Sequence, residues 1–439
     1  MNPYGRNRAR QAPRDDRDPS GRYRHRRLRR ALRDADAGGS AFGMASGPEF
    51  LLGTFRRMRV EGGRAPGPDG VTYDSLSLGE AADCLREVSK AIRRGDYRPG
   101  PSRQVSIPKL SGGTRTLTVF NLIDRVVAAA VAHALTPATK AAFLPCSYGF
   151  RPGLGVQDLL ADLLAAMAAR RIHVLAIDDV RKAFDRVPIA PLMEAFTGYT
   201  DDPRLLRLVE AILRGGPDRD RTLGIPQGCP LSPLALNVFM HEHHDVPLRA
   251  IAGSPSPYRY ADNLAYLCRD VPEGDQALDR VRRLLTPAGL ALKGQDGPPV
   301  DLEAGGEASL LGFRLAMEGG RVRAGLLEQA LAVRLLECHD EHDPPRSAVA
   351  AVMGWIESMG PALGGPTEAT LRAKILTAAR HGFRELAPMG ELADRCRAAH
   401  GRWRVRLKAA LLRHGVSGGF DHCAAAPPAA IFSGVSTGE

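Results

Sequence analysis

The chain has 439 residues, 44% of them hydrophobic and 25% charged, and its 60 Lys+Arg against 49 Asp+Glu give a formal charge of +11. That length can bury a large core in two or three domains, and the excess, mostly Arg, favours a polyanionic partner because the Arg fork matches phosphate and stacks on bases. The seven cysteines are scattered, odd in number and free of Cys-x-x-Cys spacing, which excludes a disulfide framework or zinc ribbon and makes a reducing cytoplasm the expected location.

In chain order, residues 1–45 form a basic arm whose first forty carry 12 Arg against 5 Asp and almost no large apolar residue. Such a composition cannot bury a core, so the arm is expected to be disordered, either binding RNA electrostatically or acting as a solubilising tail. Folded structure is expected from about Phe50. Apolar residues at helical spacing predict helices over Glu80–Arg93, Asp124–Leu135, Gln157–Arg170 and Pro203–Leu213. Tyr97-Arg98-Pro99 leads into Ser106-Ile107-Pro108-Lys109 and Gly112-Gly113-Thr114-Arg115, a basic hairpin able to set Lys109 and Arg115 on a triphosphate. The apolar run Val126–Leu144 is broken by His133, Thr136, Pro137, Thr139 and Lys140, a buried helix rather than a membrane span, and no membrane partner is expected.

Val174–Ile177 reads as a strand that ends on Asp178-Asp179, and Tyr258–Leu267 as strand around Tyr260-Ala261-Asp262-Asn263. Carboxylates at a bend on adjacent strands can bridge two Mg²⁺ ions, hard cations that take oxygen ligands, for in-line phosphoryl displacement. The same string also reads as an ordinary hairpin. Gly224–Pro233 is a rigid turn followed by a helix with Ser232 as N-cap and Pro233 at N1. Leu310–Leu315 and Arg321–Ala324 predict a hairpin around Gly319-Gly320, after which the chain turns helical. The domains expected are 46–172, 173–325 and a helical 326–418, with a loose Ala/Pro/Gly/Ser tail at 419–439.

Several segments in one order carry a resemblance. They are Ala65–Val71, Tyr97–Lys109, Ser147-Tyr148-Gly149-Phe150-Arg151-Pro152-Gly153, Asp179–Asp185, Pro226–Pro233 and Arg259–Asn263. Leu310-Leu311-Gly312-Phe313 and Gly354-Trp355-Ile356 follow. From about residue 65 to 360 the chain resembles the reverse transcriptases of bacterial group II introns and their relatives. The resemblance implies an α+β right-hand polymerase: fingers with part of the palm over 46–172, a ferredoxin-like βαββαβ palm over 173–325 and an α-helical thumb after it. It implies RNA-directed DNA synthesis with two Mg²⁺ ions, Mn²⁺ able to substitute. The partners implied are an RNA template, a DNA or RNA primer and dNTPs, with a structured non-coding RNA as a further one.

Residue by residue, the resemblance implies that Asp179 and Asp262 hold the metals, with the Val180 carbonyl assisting. Asp179 is preferred to Asp178 because the family places an aromatic residue five positions on, where Phe184 stands. Phe184 would lie under the incoming sugar and exclude a 2′-OH, or else be a core residue. Lys109 and Arg115 would hold the triphosphate, Gln227 would contact the nucleotide or template base, and Tyr260 would line the nucleotide site.

The chain departs from the family pattern at two places. Asn263 replaces the second carboxylate, keeping an oxygen ligand but losing a charge. In Gly289–Gly297, Asp296 stands where the family has a lysine thought to assist pyrophosphate departure, and Lys293 could replace it only with the loop re-routed. No His/Cys cluster follows residue 360, so His339, His342, His381, His400 and His414 are expected at the surface. A free-standing enzyme linked to phage defence is expected rather than a mobile element that cuts its own target. The alternatives are a maturase-like RNA-binding role with weakened or lost catalysis, and template-independent or protein-primed DNA synthesis.

Overall fold

A computed structural model describes residues 40–63, 65–108, 114–215, 220–294, 297–326, 331, 335–336, 338–340, 344–362, 377–380, 382–383 and 389–416. The first 39 residues of the expected arm, the expected tail, Lys109, Asp296, His342 and His381 lie outside the described residues.

Helices α1 (Ala41–Ala45), α2 (Pro48–Glu61) and α3 (Leu78–Arg94) come first. Folded structure therefore starts before Phe50, because Phe42 and Ala45 of α1 are buried in the core. In α3 the buried stripe Ala81, Leu85 and Ile92 recurs at helical spacing. Both ends carry stop signals. The Ser77 hydroxyl accepts from the Glu80 amide while the Glu80 carboxylate accepts from the Ser77 amide, and Gly95 at φ 81° closes the last turn.

Strands β1 (Ser102–Pro108) and β2 (Thr114–Phe120) pair as an antiparallel hairpin. Helix α4 (Leu122–Ala142) is longer than the expected Asp124–Leu135, since it continues through Pro137. The Thr136 and Thr139 hydroxyls bond the Ala132 and Leu135 carbonyls around that proline. Among the described residues no helix is long and apolar enough to cross a membrane.

Next come α5 (Val156–Arg170), β3 (Val174–Asp179), the single turn α6 (Ala183–Arg186), α7 (Ile189–Thr197) and α8 (Pro203–Leu213). Helix α9 (Ser232–Met240) runs through a π-helical turn, His241–Asp245, into α10 (Val246–Ala250). Ser232 is not the N-cap: Leu231 is, and the Ser232 hydroxyl donates to the Pro226 carbonyl at 2.8 Å, bracing the preceding turn. Then follow β4 (Ser256–Tyr260), β5 (Asn263–Cys268), α11 (Val271–Leu285) and β6 (Val300–Asp301).

Strands β3 to β6 form one antiparallel sheet in the order β4-β5-β3-β6, a βαββαβ arrangement. Both faces are covered, and the alternation of the strands sorts side chains between two cores. Val174 and Ala176 of β3, with Leu264, Tyr266 and Cys268 of β5, pack with α1–α4 and α7–α11. Leu175, Ala265 and Leu267 face the second core, with α5 and the C-terminal elements.

Strands β7 (Ala308–Leu310), β8 (Phe313–Glu318) and β9 (Arg321–Leu326) make a separate three-stranded sheet. The expected turn at Gly319-Gly320 is present, with φ values of 56° and 74°. The stretch Leu310–Leu315, expected as one strand, is two strands joined at Leu311-Gly312, where Gly312 supplies a φ of 86°. Helices α12 (Pro344–Ser358) and α13 (Met389–Arg413) follow. The six described cysteines are all free.

Candidate active site

Tyr258–Leu267 is a tight hairpin, the second of the two geometries the string allowed: Tyr260 pairs with Asn263, leaving Ala261-Asp262 as the turn. On the neighbouring strand Asp179 pairs with Asn263, so Tyr260, Asn263 and Asp179 form one row across three strands. The Val180 amide donates to the Asp262 carbonyl at 3.0 Å, tying the turn to the end of β3. Register alone thus brings Asp179, Val180, Tyr260, Asp262 and Asn263 together.

The turn is strained. Ala261 has a φ of 57°, a left-handed value that costs a non-glycine residue about 1–2 kcal/mol. Its surroundings hold it there. Gly149 lies so close that an added Cβ would sit 2.5 Å from the Ala261 amide nitrogen. Segment 146–148 runs alongside β4, with the Arg259 amide donating to the Cys146 carbonyl and the Tyr148 amide to the Arg259 carbonyl.

Beneath the turn the fully buried Arg259 spends all five of its N–H donors. Nε and Nη2 grip Asp245 at 2.8 and 2.6 Å, Nη1 reaches Asn237 at 2.7 Å and the Ala261 carbonyl at 3.1 Å, and Nη2 reaches Ser147 at 2.9 Å. Asp245 also meets His244 Nδ1 at 2.7 Å, and His244 Nε2 meets the Tyr266 hydroxyl at 2.6 Å. Burial alone would raise the Asp245 carboxyl, but the Arg259 charge and the hydrogen bonds hold it well below the usual range. Sequence reasoning missed Asp245, His244 and Asn237. Their signal was Asn237 inside the apolar run of α9 and the polar run His241–Asp245 directly after it.

The two adjacent aspartates have different surroundings. Asp178 is buried, and its Oδ1 accepts from the Asp179 amide at 2.8 Å and the Gly294 amide at 3.1 Å. Asp179 is half-buried, with Lys293 Nζ at 3.9 Å from Oδ2. The segment 291–294 is pinned along the end of β3: the Lys293 amide donates to the Asp179 carbonyl at 2.7 Å and the Arg181 amide to the Ala291 carbonyl at 2.8 Å.

Burial raises the Asp262 carboxyl, opposed by the charges of Arg115 and Arg259. Arg115 on the exposed β1–β2 hairpin is therefore within electrostatic reach of Asp262. The loop before α9 is clamped from two sides. The Gln227 carbonyl accepts from the Thr118 amide of β2 at 2.7 Å, and its Nε2 donates to Asp185 at 3.0 Å. Gly228, at φ 101°, leaves no room for a side chain, since a Cβ would lie 2.6 Å from the Thr118 carbonyl oxygen. Phe184 is half-buried against the first core, and its carbonyl accepts from the Ile225 amide at 2.7 Å.

No group of three or more His, Cys, Asp or Glu able to hold a metal ion occurs among the described residues. The oxygen donors that the sequence reading assigns to a metal here are two carboxylates with a backbone carbonyl. These hard oxygen donors suit Mg²⁺, which takes one or two carboxylates and completes its shell with water and phosphate. A carboxyl raised by burial, as Asp262 is, would also gain from a cation beside it. Of the expected surface histidines, His339 stacks on Phe383, while His400 and His414 are part-buried beside the Gly360 carbonyl and Asp162.

Residues 107–295 match the family described as reverse transcriptase (RNA-dependent DNA polymerase). Protein YkfC of Escherichia coli K12 is 31% identical over 204 residues, 44% of this chain and 53% of that protein. A putative COX1/OXI3 intron 2 protein of Saccharomyces cerevisiae is 30% identical over 198 residues, 44% of this chain and 22% of that protein. The group II intron-encoded protein LtrA of Lactococcus lactis is 25% identical over 175 residues, 38% of this chain and 29% of that protein. The chain thus spans about half of the first of these and less than a third of the other two.

Proposed function

For a chain that carries a group II intron-like reverse-transcriptase domain, we propose RNA-directed DNA polymerisation at the Ala261-Asp262 turn. The observation that carries this reading is the register that sets Asp179 opposite Asn263 and beside Asp262. In it, 46–172 serves as fingers with part of the palm, the β3–β6 sheet as palm, and α12 and α13 as thumb.

Asp179, Asp262 and the Val180 carbonyl would hold the divalent ions, with Asn263 offering an amide oxygen beside them. When bound, two Mg²⁺ or Mn²⁺ ions would stabilise the attacking and leaving oxygens of an in-line displacement. The residues of the chain supply the rest. Arg115, and Lys109 with it, would orient the triphosphate as charge-assisted donors. Gln227, held by Asp185, would rest against the nascent base pair, and Tyr260 would line the nucleotide site. The template is RNA, the primer DNA or RNA, and the substrates dNTPs, with a structured non-coding RNA as a further partner. A cytoplasmic, defence-linked setting belongs to the same proposal.

Primer extension on a defined RNA template tests this reading. Template-dependent incorporation of dNTPs supports it, and extension without template would favour template-independent synthesis. Tight RNA binding without any incorporation would favour a maturase-like role, the reading to which Asn263 lends weight.

Phe184 gives a test of sugar choice. With its ring under the ribose C2′, Phe184→Ala should admit ribonucleotides far more readily, by about tenfold or more in relative incorporation. An unchanged ratio of ribo- to deoxynucleotide incorporation would assign the ring to the core it partly packs against.

Asn263→Asp places a second carboxylate directly across from Asp179. Without divalent ions the like charges should lower the melting temperature, and adding Mg²⁺ should reverse the loss, because opposed like charges on paired strands repel. Incorporation should be preserved or raised at lower Mg²⁺. A sharp loss of activity, with no metal-dependent change in melting, would mean a site built around the amide.

A further inference from the structure

A concave feature lies away from the catalytic turn, between the C-terminal end of α3, the 95–99 connection and α8. It is a cleft of about 570 Å³ ringed by Arg93, Arg94, Arg98, Arg204, Arg207 and Arg214. None of these belongs to the catalytic turn, and that volume suits a nucleotide-sized ligand.

Helix electrostatics account for part of the ring only. Arg93 and Arg94 stand in the last turn of α3, where cations favour the dipole. Arg204 stands in the first turn of α8, where the dipole favours anions instead, and Arg207 just beyond it. Arg204 is offset by Asp202, 2.8 Å away, and stacks over Phe42. Arg94 is paired with Asp96, and Arg214 with Glu210. Arg98 donates to the Gly95 and Tyr97 carbonyls. Among the described residues neither Arg93 nor Arg207 has a hydrogen-bond or ion-pair partner, and both are exposed. Among the described residues, six arginines thus line the cleft, three of them paired with carboxylates, and two forks are uncommitted.

The floor is of a different kind. Pro99, Leu208 and Ala211 line it with apolar surface, against which a base or sugar could rest while phosphate meets the rim. Gly215 closes one wall, where an added Cβ would lie 3.2 Å from Phe120 and 3.4 Å from Pro99. The wall therefore packs against the foot of the β1–β2 hairpin that carries Arg115.

We propose that this cleft binds a phosphorylated nucleoside, with Arg93 and Arg207 as bidentate phosphate contacts. The ligand is either a free nucleotide or one residue of an RNA strand, since both present the same phosphate beside the same apolar face.

The test compares the full chain with the Arg93→Gln/Arg207→Gln double variant in two binding measurements made in EDTA, which suppresses metal-dependent nucleotide binding at the catalytic turn. One uses labelled single-stranded RNA across a salt series, the other labelled GTP. An Arg56→Gln/Arg283→Gln double variant, exposed arginines of α2 and α11, serves as control for loss of charge alone. Affinity for at least one probe should fall about tenfold, and a strand ligand should also show a salt slope shallower by about 1.4, two charges on a single strand. Loss confined to GTP would identify a free nucleotide as the ligand, and loss on RNA with the shallower slope a strand. Unchanged binding of both probes, or an equal loss in the control variant, would overturn the proposal, whatever primer extension shows.

Discussion

Asp262→Asn should abolish nucleotide incorporation, lowering the rate by on the order of 10³-fold or more, as loss of a preorganised charge from a catalytic site does. The change is nearly isosteric, so the hairpin and its backbone bonds to Val180 and Arg259 should survive. Affinity for RNA should stay within about twofold, because it rests on many dispersed phosphate contacts. Asp179→Asn should behave the same way. Asp178→Asn should not, since an amide oxygen at that position can still accept from the Asp179 and Gly294 amides. Primer extension and RNA binding on the three variants check this together. Wild-type extension by the Asp262 variant, or equal losses at 178 and 179, would sink the site assignment.

The second large effect is expected beneath the turn. Arg259→Met leaves Asp245 buried without its counter-charge, which should cost about 3–5 kcal/mol of stability. It also removes the donor to the Ala261 carbonyl, so the strained turn loses a support from below. Changing both members, Arg259→Met with Asp245→Leu, should recover part of the stability, because replacing a buried ion pair by apolar groups is often close to neutral. Incorporation should not recover with it. Melting temperature and primer extension on the two single variants and the double variant separate these effects. A double variant with restored stability and wild-type extension would make the pair purely structural.

The same pair sets an acid dependence. The folded Asp245 carboxyl lies below its unfolded value of about 3.9. Its contribution is therefore present above that value and lost only as pH falls through the lower folded one. Asp245→Asn should remove this share of acid unfolding.

Much of the fold was legible because local signals agreed with one another. The α3 helix announced itself by the amphipathic stripe over Glu80–Arg93, and α8 by the apolar spacing over Pro203–Leu213. The turn at Gly319-Gly320 followed from two residues that tolerate positive φ. The string around Asp262 and the acidic end of β3 pointed to a paired-carboxylate site before any strand was placed. Legibility failed where tertiary packing overrode local preference. Pro137 sits exposed inside α4, most of whose residues pack into the core, and the Ser232 hydroxyl turns from capping to bond Pro226.

What the amino-acid order determined by itself was which residue types could do chemistry and roughly which segments would be helix or strand, since both depend on neighbours a few positions apart. Only the tertiary structure decided which of two adjacent aspartates is buried and which borders the turn. That choice depends on strand register and on the Gly294 amide, 116 residues from Asp178. It also decided that Ala261 holds a left-handed φ, because the support comes from Gly149, Val180 and Arg259, which meet only in the folded chain. The Arg259–Asp245–His244 network was invisible for the same reason. A buried charge is stable only with all its partners present, and those partners are set by packing between elements rather than by spacing along one of them.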